Sequence, residues 1–345
     1  MESRKLQRVG HSTYSVSLPR KWVREAGLRP GDIVVLNEEN DGSLKLVPSN
    51  LVERKAPSEE CVINSDLCTD PGMLERIIVG NYTLGLDFFS VTSSSRISRG
   101  HIEEIRRISH RLMGLGIVQE TPERIDLQCS VDPTKFKLDM LMRRLVVIAS
   151  TIYTEAMQAL VESDRELAED AIRREDEADM MYWLAIRLLL SAQRDRMVAG
   201  KIGLGEPTHI LYYALISRYL EVIADHAENI ARRAIEFKSY ERKGGRQAVR
   251  DIVNLSELAH NVFLKAMDCV FTGSIDVANN VLEITEVIGR EHERLMKESP
   301  ELPALRTVVL ELARIADTGA GIAVIAINKA LEKSSKICTL RPALP

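Results

Sequence analysis

The stretch RYLEVIADHAENIARR, residues 218–233, carries Glu221, Asp225 and Asn229 four positions apart. On a helix, side chains at i and i+4 stand one above the other, about 40° apart in azimuth, so these three stack oxygen donors along one line. A second run, AIRREDEADMMYW at 171–183, holds Glu175 and Asp179 at the same spacing. If the two helices lie antiparallel side by side, four carboxylates and one amide oxygen converge. That donor set suits a hard divalent or trivalent cation. It contains no soft ligand to choose among iron, zinc, manganese and magnesium. His226 and His292 offer a nitrogen nearby. Taking Glu221 as zero azimuth, Ile216, Tyr219, Ile223 and Ile230 fall on the opposite side. The acids are therefore expected to face outward, which is also the pattern of a plain solvated helix face.

The elements that must hold these residues follow from the punctuation. After Asp132 the chain reads as six long helices, 134–163, 165–196, 207–238, 246–271, 275–297 and 302–333, separated by short Gly- and Pro-bearing connections, which implies a bundle. The helices repeat. YLEVIADHAENIARRAI recurs as ELARIADTGAGIAVIAI, with Asp317 standing 92 residues after Asp225. RELAEDAI and IDVANNVL match more faintly. Two three-helix units follow, about 134–240 and 246–333. GKIGLGEP is a loop between the second and third helices, lacking the order and strand context of a dinucleotide fingerprint.

Residues 1–50 read differently: strands at RKLQRVG and TYSVSLP, a short helix RKWVREAGL, a PGD turn, and a hairpin IVVLNEENDGSLKLVP turning at Asn40, Asp41 and Gly42. So few short elements do not easily cover both faces of a sheet, so a second copy of the chain is expected to complete the unit. Seven basic side chains crowd the first thirty residues (Arg4, Lys5, Arg8, Arg20, Lys21, Arg24, Arg29) against Glu2 and Glu25. From 57 to 131, possible strands CVINS, FFSVTSS, GIVQETP and RIDLQCSV mix with helices PGMLERIIVGN and SRGHIEEIRRISHRLMG, a small α+β domain. Its His101 and His110 lie nine apart and form no ligand pair.

A length of 345 residues implies two or three domains in a multidomain chain, and 28% charged with only 5% aromatic residues favours long helices. Net charge is -4, which signals neither nucleic acid nor membrane for the chain as a whole. Five scattered cysteines without a CxxC pair imply reduced thiols and a cytoplasmic location. The N-terminus lacks an apolar signal core, and no uncharged apolar run of about 18 residues is present, so no membrane insertion is expected. No Walker loop or nucleophile elbow occurs.

The two acidic runs together resemble the repeat signature of the PhoU family of phosphate uptake regulators, over about residues 132–335. QRVGHSTYSVSLPRKWVREAGLRPGDIVVL is similar to the AbrB, SpoVT and MazE family of swapped-hairpin domains, and the pairing of the two resembles archaeal PhoU-like regulators. The resemblance implies a metal cluster held on the bundle surface by Glu175, Asp179, Glu221, Asp225 and Asn229. It also implies a role in restraining phosphate import through the phosphate ABC transporter, with its ATPase subunit or a sensor kinase as protein partner. The N-terminal half would form a homodimer that touches DNA phosphates through Arg8, Arg20, Lys21 and Arg24. The second repeat departs from the signature: Thr285, Gly289, Ala313 and Gly321 replace Glu175, Asp179, Glu221 and Asn229, and only Asp317 survives. One metal centre per chain at most is expected, with Glu286 and Glu291 nearby.

These readings give a non-enzymatic regulator of phosphate uptake or signalling as the first expectation. A metal-free adaptor docking on a transporter or kinase is the alternative. A carboxylate di-metal enzyme would need its acids, with a Glu-x-x-His motif, inside the bundle core, and neither acidic run carries that motif.

Overall fold

The structure, a computed structural model, describes residues 3–38, 43–49, 61–236, 245–298, 303–334 and 337–339. The chain divides into two compact units, residues 1–60 and 61–345.

In the first unit, β1 (Gln7–Val9) pairs antiparallel with β2 (Thr13–Ser15), and β3 (Val34–Glu38) pairs antiparallel with β4 (Leu44–Pro48). Helix α1 (Arg20–Glu25) lies between the two hairpins in sequence. The expected turn at Asn40, Asp41 and Gly42 lies outside the described residues. Leu6, Val9, Tyr14, Val16, Ile33, Leu36 and Leu44 are all at least half exposed. A hairpin pair that leaves its apolar side chains in water has no core of its own among the described residues.

The second unit begins with a four-stranded sheet in the order β5 (Cys61–Asn64), β6 (Phe88–Thr92), β8 (Arg124–Cys129), β7 (Leu115–Glu120). β5 and β6 run parallel; β8 is antiparallel to both of its neighbours. Helices α2 (Met73–Thr83) and α3 (Arg99–Arg111) bury Leu74, Ile78, Tyr82, Ile105 and Ile108 against Phe89, Val91, Ile125 and Leu127. His101 is used locally, its Nε2 3.0 Å from the Cys68 carbonyl.

The remainder is helical: α4 (Leu138–Glu162), α5 (Arg165–Arg194), α6 (Arg196–Ile202), α7 (Thr208–Glu236), α8 (Gly245–Thr272), α9 (Ile275–Glu298) and α10 (Pro303–Ala330). Each of the six long helices lies within a few residues of its sequence expectation. The short α6 was not anticipated. The reason is a shared residue: Asp195 ends α5 and caps α6 by accepting a hydrogen bond from the Met197 N–H at 2.8 Å, so the chain breaks and restarts within what reads as one long helix and loop. Between α4 and α5, Ser163 adopts a left-handed backbone (φ 56°) and Asp164 caps the next helix through the Leu167 N–H.

Helix α7 is the central element of the first repeat. It packs on α4, α5 and α10 and buries Ile216, Leu220, Ile223, Ala227, Ile230 and Ala234. Helix α4 has the length and hydropathy of a membrane span, but half of that window is buried in the bundle, as a core helix requires. The α+β part is fixed to α5. Arg187, 1% exposed, donates to the carbonyls of Tyr82 (2.7 Å) and Leu86 (3.1 Å) and to Asp87 (2.5 Å), and its guanidinium lies over the Tyr82 ring. Arg194 donates to the Leu84 carbonyl at 2.6 Å, and Trp183 packs against the α+β core.

Candidate metal centre

Glu175 and Asp179 on α5 and Glu221 and Asp225 on α7 meet in the seam where these helices pack. The side chains of Glu175, Asp179 and Glu221 are 15%, 14% and 8% exposed. This corrects the expectation of an outward stripe. The physical reason is that α5 packs beside the acidic line of α7, while α4 and α10 take its apolar line and Leu211, Leu215, Arg218 and Arg232 keep the exposed face. Asn229 is half-buried one turn beyond Asp225 on the same line.

The acids feel one another. Burial, then the neighbouring carboxylates Asp179, Glu228 and Asp225, push the Glu175 carboxyl well above the usual carboxylate range. Asp179 is raised by burial and by Asp225, against the pull of Arg111 and a hydrogen bond with Glu175. Glu221 is pushed up to about 7, first by burial and then by Asp225, and Asp225 is raised chiefly by burial. Mutual repulsion across the seam means that the two helices do bring these groups together, and that the cluster is short of positive charge.

Two arginines partly meet that shortage. Arg218 pairs with Glu221 within α7 and lies 5.8 Å from the Tyr182 ring. Arg111, the last residue of α3, reaches across from the α+β part: its Nη2 is 2.7 Å from Asp179 Oδ2 and 3.9 Å from Glu175 Oε2. Its Nε sits 2.8 Å from Asp176 Oδ1 but out of line for a hydrogen bond. Among the described residues, no three His, Cys, Asp or Glu side chains already close to metal-ligand spacing around one point.

Sequence spacing missed three members of this site. Glu228, 17% exposed and 2.5 Å from Arg232, follows Glu221 by seven residues, a spacing on the same face that an i+4 search passes over. Arg111 and Trp183 come from tertiary packing and leave no local signal. His226 is not among the acids' partners in a ligand sense; its Nδ1 lies 2.6 Å from Glu311 on α10. His292 Nε2 is buried without a hydrogen-bond partner on α9.

Residues 142–234, which are most of α4, all of α5 and α6 and nearly all of α7, match the model of the PhoU domain family. This part of the chain is similar to the PhoU domain. A crystal structure of PhoU from Pseudomonas aeruginosa is similar to this chain at 20% identity with a TM-score of 0.47, covering 55% of this chain and 93% of that one. Residues 7–53 match the model of MazE, an antidote-toxin recognition bacterial antitoxin. No curated protein matches the sequence.

The PhoU match falls on the acid-bearing repeat. In the second repeat, Asp317 is exposed, Gly321 lies where an added Cβ would come 3.0 Å from the Tyr219 ring, and Gly289 has open space around it. Glu291 is paired with Arg294 at 2.5 Å. Glu286 is exposed. In the MazE-like unit, Arg8, Arg20, Lys21 and Arg24 are all exposed. Arg20, Lys21 and Arg24 share α1, with Lys21 3.8 Å from Glu25, while Arg8 on β1 donates to the His11 carbonyl at 2.8 Å. All five cysteines are free thiols.

Proposed function

We propose that this chain regulates phosphate uptake or phosphate signalling without catalysing a reaction. In this reading its PhoU domain holds one multivalent cation in the α5–α7 seam, and its MazE-like unit joins two copies and contacts DNA. The observation that carries the metal half is the convergence of Glu175, Asp179, Glu221 and Asp225, with Glu228 beside them, in a seam where burial raises the proton affinity of all four and Asp225 adds to it at Glu175, Asp179 and Glu221. Five carboxylates against three arginines, Arg111, Arg218 and Arg232, leave an anionic excess in a partly buried place, and a cation of charge two or more relieves it. The residues therefore fit a hard metal ion, with Asn229 as a neutral oxygen further along. Iron, zinc, manganese and magnesium all meet that chemistry.

The DNA half is supported by exposed Arg8, Arg20, Lys21 and Arg24, and the homodimer by the uncovered apolar side chains of the first unit. The partners that fit the family are the ATPase subunit of a phosphate transporter and a sensor kinase, in the cytoplasm.

Elemental analysis of protein purified without chelator tests the metal centre: the reading expects about one site's worth of metal per chain, lost when Asp179 and Asp225 are both changed to Asn. A mobility shift on the upstream DNA at rising salt tests the other half, since contact through phosphates weakens steeply with salt. Absence of retardation at low salt would remove it. One observation favours the metal-free adaptor instead: Arg111 and Arg218 already sit on the acids. Under that reading the double Asn variant changes neither metal content nor thermal stability.

A further inference from the structure

We infer that Arg111 is a built-in counter-cation that a bound metal displaces, so that the α+β part reads whether the PhoU seam is loaded. This rests on the metal reading above.

Arg111 belongs to α3, not to the bundle, yet its guanidinium occupies the mouth of the acid cluster at 2.7 Å from Asp179 and 3.9 Å from Glu175. A metal–oxygen bond is about 2.0–2.2 Å long. A multivalent ion on the same Asp179 carboxylate would stand within about 5 Å of the guanidinium, like charge against like, in a seam only partly open to water. The two cations compete for one place. The displaced guanidinium has a second seat within its own domain. Glu75 on α2 turns Oε1 toward Arg111 Nη1 at 3.7 Å, while its Oε2 is held by Arg107 Nη2 at 2.6 Å. Arg111 also lies 5.3 Å from the centre of the Trp183 ring, which is packed into the α+β core. Handing Arg111 from Asp179 to Glu75 exchanges a contact between the two parts for one inside the α+β part. Arg187 and Arg194 keep the parts attached throughout, so the change is local to the end of α3 and the start of α2. A two-position side chain whose balance the ion shifts is a sufficient device, and the coupling is reciprocal.

The test uses the full chain and zinc, manganese and ferrous iron in turn. Metal affinity is measured by chelator competition for wild type and Arg111→Met. Trp183 emission is followed in a Trp22→Phe background, since these are the two tryptophans of the chain. Removal of the competing cation is expected to tighten binding at least tenfold for the metal that binds, and zinc loading is expected to shift Trp183 emission in the Arg111 protein but not in the Met variant. Unchanged or weaker binding in Arg111→Met overturns the inference while leaving the metal site standing. Failure of both proteins to bind any of the three metals removes the metal reading and this inference with it. If Arg111→Met does not fold, hydrogen exchange on the wild-type chain decides: the end of α3 is expected to lose protection on loading, and equal protection with and without metal overturns the proposal.

Discussion

The two three-helix repeats are built to one plan and used for opposite ends. In the first, α5 and α7 face each other with carboxylates, and α5 carries Trp183 and Arg187, which fasten the α+β part. In the second, the same alignment that sets Thr285 against Glu175 places Glu293 and Lys297 at those two anchor positions, both exposed. Thr285, Gly289, Ala313 and Gly321 stand where Glu175, Asp179, Glu221 and Asn229 do, Asp317 alone keeps its carboxylate, and close packing is found instead where α10 meets α8. At Gly319, an added Cβ would lie 2.9 Å from Val262 Cγ1 and 3.4 Å from the Phe263 backbone. A helix seam can hold charge that needs a partner, or it can pack backbone to backbone. Here the α5–α7 seam of the first repeat holds charge and the α8–α10 contact of the second packs closely at Gly319, while the full acid set is present in only one repeat.

The largest expected effect separates the anchors. Arg187→Met removes donors from the buried Tyr82 carbonyl and from Leu86 and Asp87, and should cost about 3 kcal/mol in denaturant unfolding. Lys297→Met, at the matching exposed position, should fall within about 0.5 kcal/mol of wild type. Equal costs would break the comparison. Next comes the ligand set. Asp225→Asn should weaken metal binding at least tenfold, about 1.4 kcal/mol, whereas Asp317→Asn should leave affinity and stoichiometry alone. A second equivalent of metal lost on changing Asp317 would show that both repeats bind.

Close packing gives a smaller effect. Gly319→Ala sets an overpacking cost of about 1–3 kcal/mol against a helix-propensity gain of about 1 kcal/mol, for a net loss of about 1 kcal/mol in thermal unfolding. Gly321→Ala would place a Cβ 3.0 Å from the outer edge of the half-buried Tyr219 ring, a looser approach than at Gly319, and should cost less than Gly319→Ala. If Gly319→Ala stabilises the protein, the α8–α10 contact is looser than the approach to Val262 implies and the contrast fails.

How much of this was legible differs by region for the same physical reasons. The long helices were readable because their apolar period and their caps, such as Asp164, are local signals. The strands of the α+β part were readable from β-branched runs bounded by turns. The i, i+4 acids were readable as a pair of pairs, and the structure does set Asp179 against Asp225. Their burial was not readable, because it depends on which three helices surround α7. Arg111 was invisible for a stronger reason: 64 residues separate it from Glu175 in the chain, and nothing in SHRLMG marks an arginine that will reach another domain's acids.

The smallest expected effect is in the pH dependence of the metal-free protein, and it again pits the repeats against each other. Burial and the other carboxylates raise Glu175 and Asp179, and they bring Glu221 from its ordinary value of 4.5 to about 7. A carboxyl with a raised value in the fold keeps its proton where the unfolded chain has lost it. The folded state therefore binds more protons than the unfolded state between about pH 4.5 and 7, and stability falls as pH rises through that window. Glu221→Gln should flatten the slope, and Asp317→Asn should leave it unchanged. Saturating metal should reverse the trend, because loading requires the carboxylates to release their protons and is favoured by rising pH. Thermal melts from pH 5 to pH 8, with and without zinc, measure all four curves. A metal-free slope of the opposite sign would mean that Arg111 and Arg218 more than neutralise the seam, and that the first repeat, like the second, carries no acidic excess.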